Sequence, residues 1–116
     1  MKVLLDENLA QRLRMNLGAH EVFTVSYRGW AGLKNGELLR TAEESGIDVL
    51  LTGDRTLVHE QNLKGRNLSI VALSSVEWGI IRNYLPSIIA AIENALPGSF
   101  QEVDCVTFSR MKLPGE

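Results

Sequence analysis

The spacing of apolar residues changes several times along the chain, and each change predicts an element. Val3, Leu4 and Leu5 form an unbroken apolar run, the pattern of a strand buried on both faces of a parallel sheet. The run stops at Asp6-Glu7-Asn8. Leu9, Leu13 and Leu17 then recur every fourth residue, with Arg12 and Arg14 off that line, so a helix is predicted from Leu9 to Gly18, capped by Asn8 and closed by Gly18. Glu21 to Val25 alternates loosely and reads as a second strand, parallel to the first because a helix separates them. A glycine- and aromatic-rich loop over 26–34 leads to a helix from Asn35, as its cap, to Gly46. Ile47 to Thr52 is a third strand, Thr56 to Gly65 a short helix with a Thr cap, and Asn67 to Leu73 a fourth strand. Trp78 to Leu96 carries Ile81, Leu85, Ile88, Ile89 and Ile92 on one stripe and reads as an amphipathic helix. Pro86 is expected to kink it or to start a second helix, and Pro97-Gly98 to stop it. Phe100 to Phe108 suggests a fifth strand at a sheet edge.

Regular alternation of strand and helix specifies an α/β fold, a three-layer α/β/α sandwich with a mostly parallel five-stranded sheet. One domain is expected over 1–109, with a short C-terminal tail over 110–116. The balance of 45% apolar and 22% charged residues in a chain of 116 excludes a disordered segment and permits a real core. A net charge of −2 gives no global attraction to nucleic acid, so RNA binding requires a local basic patch. The single cysteine, Cys105, excludes an internal disulfide, is expected to be a buried strand residue, and fits a reducing, cytoplasmic setting. No signal peptide is visible, and the longest apolar stretch is interrupted by Arg82, Asn83, Pro86, Glu93 and Asn94, so no membrane span is expected. The stripe on the Trp78–Leu96 helix looks wider than one sheet face needs, which predicts a homodimer or a groove for a protein partner.

The chemistry concentrates at two strand ends. Asp6-Glu7 follows the first strand and Asp54 the third, and in an open α/β sheet that edge is where ligands gather. The plain alternative is that each Asp caps a helix. Carboxylates suit Mg²⁺ or Mn²⁺, which bind through few protein ligands together with substrate phosphate. There is no Walker A loop, no dinucleotide fingerprint, no zinc spacing around His20 or His59, and no Ser/His/Asp triad. Glu37 falls in the first turn of its helix, where the helix dipole alone favours an acid. The loop residues Tyr27, Arg28, Trp30 and Lys34 either stack nucleobases and hold phosphate or close the edge of the core, and the second reading is preferred.

Leu-Leu-Asp6-Glu7-Asn8-Leu9, Gly29-Trp30-Ala-Gly-Leu-Lys-Asn-Gly-Glu37-Leu-Leu, Leu-Leu-Thr52-Gly-Asp54-Arg55-Thr-Leu57 and Gln61-Asn62-Leu together resemble the small PIN-like proteins related to the Mut7-C branch of the PIN nuclease superfamily. The resemblance spans about residues 1 to 95. It implies a metal-dependent ribonuclease, often the toxin of a toxin–antitoxin pair with a small antitoxin partner. Asp6 matches the first acid of that family, Asp54 the acid of its Thr-x-Asp strand end, and Glu37 its helical acid by position. The expected catalytic set is therefore Asp6, Asp54 and Glu37, with Asp6, Asp54 and Glu7 on the Mg²⁺ or Mn²⁺ and Arg55, Lys34, Arg12 and Arg28 on the RNA. The chain departs from the family pattern at the further acid near the Thr-x-Asp strand: position 56 is Thr, and Asp48 lies at the opposite end of its strand. Two other functions compete, a non-catalytic RNA- or protein-binding module on the same fold and a metal-dependent phosphoryl-transfer or receiver-like domain. The latter lacks a lysine at the later strand ends.

Overall fold

A computed structural model describes residues 1–54, 56–57, 63 and 65–105. Five strands, β1 (Lys2–Leu5), β2 (Glu21–Thr24), β3 (Val49–Thr52), β4 (Ser69–Leu73) and β5 (Phe100–Val103), form one sheet in the order β2-β1-β3-β4-β5. Every pairing is parallel, so all five carboxyl ends lie at one edge. The expected sheet is thus found, with no antiparallel member among the described residues. β5 is an edge strand as predicted, and β2 forms the other edge. The portion of the fifth strand expected over 106–108, and the tail over 110–116, lie outside the described residues.

Side chains of the central strands alternate between two apolar layers. Val3, Leu5, Val49, Leu51 and Val71 face one layer, completed by Leu9, Leu13, Leu17, Ile81, Ile88 and Ile92. Leu4, Leu50 and Ile70 face the other, completed by Leu38, Leu39, Ala42, Leu57 and Leu63. Both faces being covered explains why these strands read as continuous apolar runs. The helix α1 (Asn35–Glu44) covers the second face; α2 (Trp78–Ile81) and α3 (Leu85–Glu93), joined by a 3₁₀ turn at Arg82–Tyr84, cover the first. Pro86 sits in the first turn of α3, where its missing N–H costs nothing, so it starts a second helix. Ile81, Ile88 and Ile92 of the apolar stripe are fully buried within the chain, and Leu85 and Ile89 are partly buried. The excess apolar surface expected on this stripe is therefore smaller than its sequence suggests.

Two local expectations are corrected. Residues 9–18 form a five-residue 3₁₀ helix, Gln11–Met15, rather than an α-helix. Leu9, Leu13 and Leu17 are buried as their spacing requires, but only Leu13 lies in the helix, and Ala10 occupies the cap position and makes no side-chain cap bond, so the helix lacks its expected N-terminal support. The α1 cap is Lys34, one residue before the expected Asn35. Thr56 does directly precede the first helical residue, Leu57, as expected of a cap, and Asp54 adds to this turn: its Oδ1 accepts from both the N–H and the hydroxyl of Thr56, at 2.9 and 2.7 Å. Most of the predicted Thr56–Gly65 helix lies outside the described residues.

Candidate metal site at the strand ends

β1 leads to β2 on one side of the sheet, whereas β3 continues to β4 and β5 on the other. The carboxyl ends of β1 and β3 therefore flank the topological switch point, where the two turns diverge and leave a crevice. Asp6 follows β1 and Thr52-Gly53-Asp54 closes β3, so the two acids flank this point.

Thr52 joins them. Its side chain is fully buried; the hydroxyl donates to Asp6 Oδ2 at 2.7 Å and accepts the Asp54 N–H at 3.0 Å. Asp6 Oδ1 accepts the N–H of Glu7 at 2.8 Å, and the Asp6 N–H donates to the Leu51 carbonyl at 2.9 Å, which carries the β1–β3 ladder into the turn. Asn8 adds a second tie. Its Oδ1 accepts the Gly53 N–H at 3.3 Å. Gly53 admits no larger residue without movement: an added Cβ would stand 2.4 Å from Val76 Cγ1 and 3.3 Å from Leu9 Cδ2. The result is a packed junction with two half-exposed carboxylates on its outer side.

Both plain and functional readings of the acids have a structural counterpart. Asp54 does organise the turn that follows it, as a capping residue would. Yet no described Lys or Arg pairs with Asp6 or Asp54, and Asp54 Oδ2 accepts no hydrogen bond from a described residue. Glu7 and Glu37 are exposed and make no side-chain bond to a described residue. Among the described residues no three His, Cys, Asp or Glu side chains gather closely enough to hold an ion, so neither glutamate completes a ligand set with Asp6 and Asp54. Asp48 lies at the amino edge, as expected, where its Oδ2 accepts the Lys2 N–H.

The basic residues lie on different faces. Arg12 and Arg14 are exposed on the 3₁₀ helix, in the layer shared with α3. Arg28 and Lys34 belong to the loop and cap leading into α1, on the other face. Arg55, His59 and Arg110 lie outside the described residues. The aromatic loop divides: Trp30 packs against the core as preferred above, but Tyr27 is 78% exposed. The ties made by Thr52 and Asn8 were not read from the sequence; the only signals were a polar residue at the end of an apolar run and an Asn beside two acids.

Cys105 is buried just beyond β5, and burial pushes its thiol up from its ordinary pKa of 9.0. Among the described residues no helix is long and apolar enough to cross a membrane. The chain matches no family model, no curated protein and no solved structure.

Proposed function

We propose that the chain is a Mg²⁺- or Mn²⁺-dependent ribonuclease of PIN-like type whose metal is held by Asp6 and Asp54. The observation that carries this reading is the buried Thr52 hydroxyl at the switch point, which donates to the Asp6 carboxylate and accepts the backbone N–H of Asp54, with no cationic side chain among the described residues paired with either acid. Two carboxylates with water and substrate phosphate suffice for Mg²⁺, whose sites seldom use a complete protein cage. Bound there, the ion supplies charge for the phosphodiester oxygens and lowers the pKa of an attacking water. Thr52 and Asn8 hold the two turns at a fixed spacing, and Asp6 and Asp54 present oxygen donors. Glu7 and Glu37 enter this reading as acids near the substrate rather than as ligands. The toxin role and a small antitoxin partner extend the proposal through the sequence resemblance, and a homodimer would use what the α2–α3 stripe leaves partly buried, Leu85 and Ile89.

A second reading has its own observation. No third acid joins Asp6 and Asp54 among the described residues, which favours a non-catalytic RNA- or protein-binding module. The receiver-like alternative shares this strand order and these acid positions. Against it, the end of β5 runs Val103-Asp104-Cys105 and offers no lysine.

Incubating end-labelled single-stranded RNA with the wild-type chain and with Asp6→Asn, each with Mn²⁺ or EDTA, tests the proposal. Cleavage is expected from the wild type with Mn²⁺ alone. Equal cleavage by Asp6→Asn, or none by the wild type, overturns it.

A further inference from the structure

The turn after β2 stands directly beside Asp6. Val25, one residue past the strand, donates its N–H to the Leu5 carbonyl at 3.2 Å, so residues 26–30 begin next to the end of β1. The turn is closely bonded: the Tyr27 N–H donates to Thr24 Oγ1 at 3.0 Å, the Arg28 N–H to the Thr24 carbonyl at 3.1 Å, and the Trp30 N–H to the Val25 carbonyl at 2.9 Å. Trp30 anchors the turn in the core. Over its ring, at 4.7 Å from the centroid, lies the Arg28 guanidinium, which also sits 5.4 Å from the centroid of Phe23. Tyr27 takes no part in this packing and is 78% exposed.

A single exposed apolar side chain is ordinary. Three features set Tyr27 apart: it is aromatic, it rides on a fixed turn at the edge that carries Asp6 and Asp54, and its neighbour is a flat cation already ordered by two rings. We propose that Tyr27 and Arg28 form a clamp for single-stranded RNA, Tyr27 stacking on one unpaired base and Arg28 holding an adjacent phosphate. This rests on the reading of the edge as RNA-directed. A phenol ring stacks on any base, so the clamp is tolerant of sequence but requires a base free of its own stack, which a duplex does not offer. Arg28 retains its charge while it lies on Trp30, and the cation–π contact restricts its rotamers before the phosphate arrives. The clamp would set which phosphodiester bond approaches Asp6 and Asp54.

The test measures anisotropy of fluorescein-labelled oligouridylate on Asp6→Asn protein at low salt with Mg²⁺, so that cleavage does not intervene. Adding Tyr27→Ala is expected to weaken binding about ten- to a hundredfold, whereas Tyr27→Phe stays close to the parent. A ribose-phosphate oligomer without bases should bind all three equally, and Arg28→Ala should lower the salt slope by about one. Unchanged thermal midpoints for the Tyr27 variants confirm that the fold is intact. Undiminished binding by Tyr27→Ala, an equal loss on the abasic oligomer, or tight duplex binding overturns the clamp. So does no oligouridylate binding at all, which would leave the exposed ring to a protein partner. Cleavage by wild-type protein is followed in parallel: cleavage without a Tyr27 effect removes the clamp and leaves the nuclease, and Tyr27-dependent binding without cleavage does the reverse.

Discussion

Acids at the two edges of the sheet are engaged differently. At the amino edge, Asp48 accepts the Lys2 N–H at 2.9 Å, while Glu43 takes the Asn67 N–H and the Arg66 guanidinium, the latter at 3.2 Å. These carboxylates tie together segments 46 and 23 or 24 residues apart, and one of them faces a cation. At the carboxyl edge, the Asp6 and Asp54 carboxylates accept bonds from their own turns, and the Thr52 hydroxyl donates to the Asp6 carboxylate while accepting the Asp54 N–H, with no described cation paired with either. An acid that closes a cross-link acts through stability. An acid held in place with no counter-charge among the described residues is suited to an external cation.

The sharpest way to break this contrast is to remove one charge at a time from each edge. Asp6→Asn and Asp54→Asn should lower Mn²⁺-dependent RNA cleavage by at least about a hundredfold, given the several kcal/mol a metal ion contributes to charge stabilisation. Asp48→Asn and Glu43→Gln should leave it within about twofold. Calorimetric titration with Mn²⁺ should show heat for the amino-edge variants and none for the carboxyl-edge ones. Equal losses at both edges would mean that all four acids act through the fold.

Next in size is the junction that keeps the two turns together. Gly53→Ala places a methyl group 2.4 Å from Val76 Cγ1. Overpacking of this kind costs about 1–3 kcal/mol. Val76 lies on an exposed loop, so Val76→Ala in the same chain should restore most of the loss, as read by thermal denaturation. A lowered midpoint that Val76→Ala does not rescue would place the obstruction at Leu9 instead.

The amino edge offers a smaller effect of the opposite character. Glu43→Ala removes the acceptor for the Asn67 N–H and the partner of Arg66, in a pair whose side chains are each 24% exposed. Because Asn67 itself is exposed, water can replace part of the bond, and a loss of about 1 kcal/mol is expected in denaturant unfolding with RNA cleavage unchanged. A cleavage defect larger than the loss of folded protein would break the division between the edges.

How much of this was legible depended on whether an interaction is local. Val3-Leu4-Leu5, Val49-Leu50-Leu51 and Ile70-Val71 announce a sheet covered on both faces because every side chain of each run must be apolar. Pro86 announces a helix start because its ring forbids a helix interior. The Leu9-Leu13-Leu17 spacing reports burial correctly but not helix type. Asn8, the expected cap, instead bonds through its side chain to Gly53, 45 residues away. Such a contact leaves no local pattern. Asp6 and Asp54 could be placed at one edge from strand-end position alone, yet the hydroxyl between them depends on the β1–β3 register. Trp30 and Tyr27, three residues apart, look equivalent as loop aromatics; only the hydrogen-bonded turn separates the buried ring from the exposed one.

The smallest effect comes from the far side of the carboxyl edge, where β4 and β5 end. There the Ser74 hydroxyl accepts the Cys105 N–H at 2.6 Å and lies within donor reach of Asp104 Oδ1 and the Cys105 carbonyl, at 3.3 and 3.2 Å. Cys105 is buried in this corner, while Asp104 beside it is exposed. Burial, the largest influence, raises the Cys105 pKa; Asp104 raises it further, and the bonds from Ser74 oppose them. The raised value fixes the sign of the pH dependence. Below the unfolded pKa near 9.0 the thiol is neutral in both states and contributes no pH slope. Above it, the unfolded chain ionises first and is favoured, so stability falls as pH rises towards the folded value. Melting midpoints of wild type and Cys105→Ala should therefore keep a constant difference up to about pH 9 and then converge or cross as only the wild type loses this contribution. The same burial predicts slow reaction with a thiol reagent at pH 8 in the native state and fast reaction after unfolding. Reaction at the rate of a free cysteine would show that this corner opens readily in the native state.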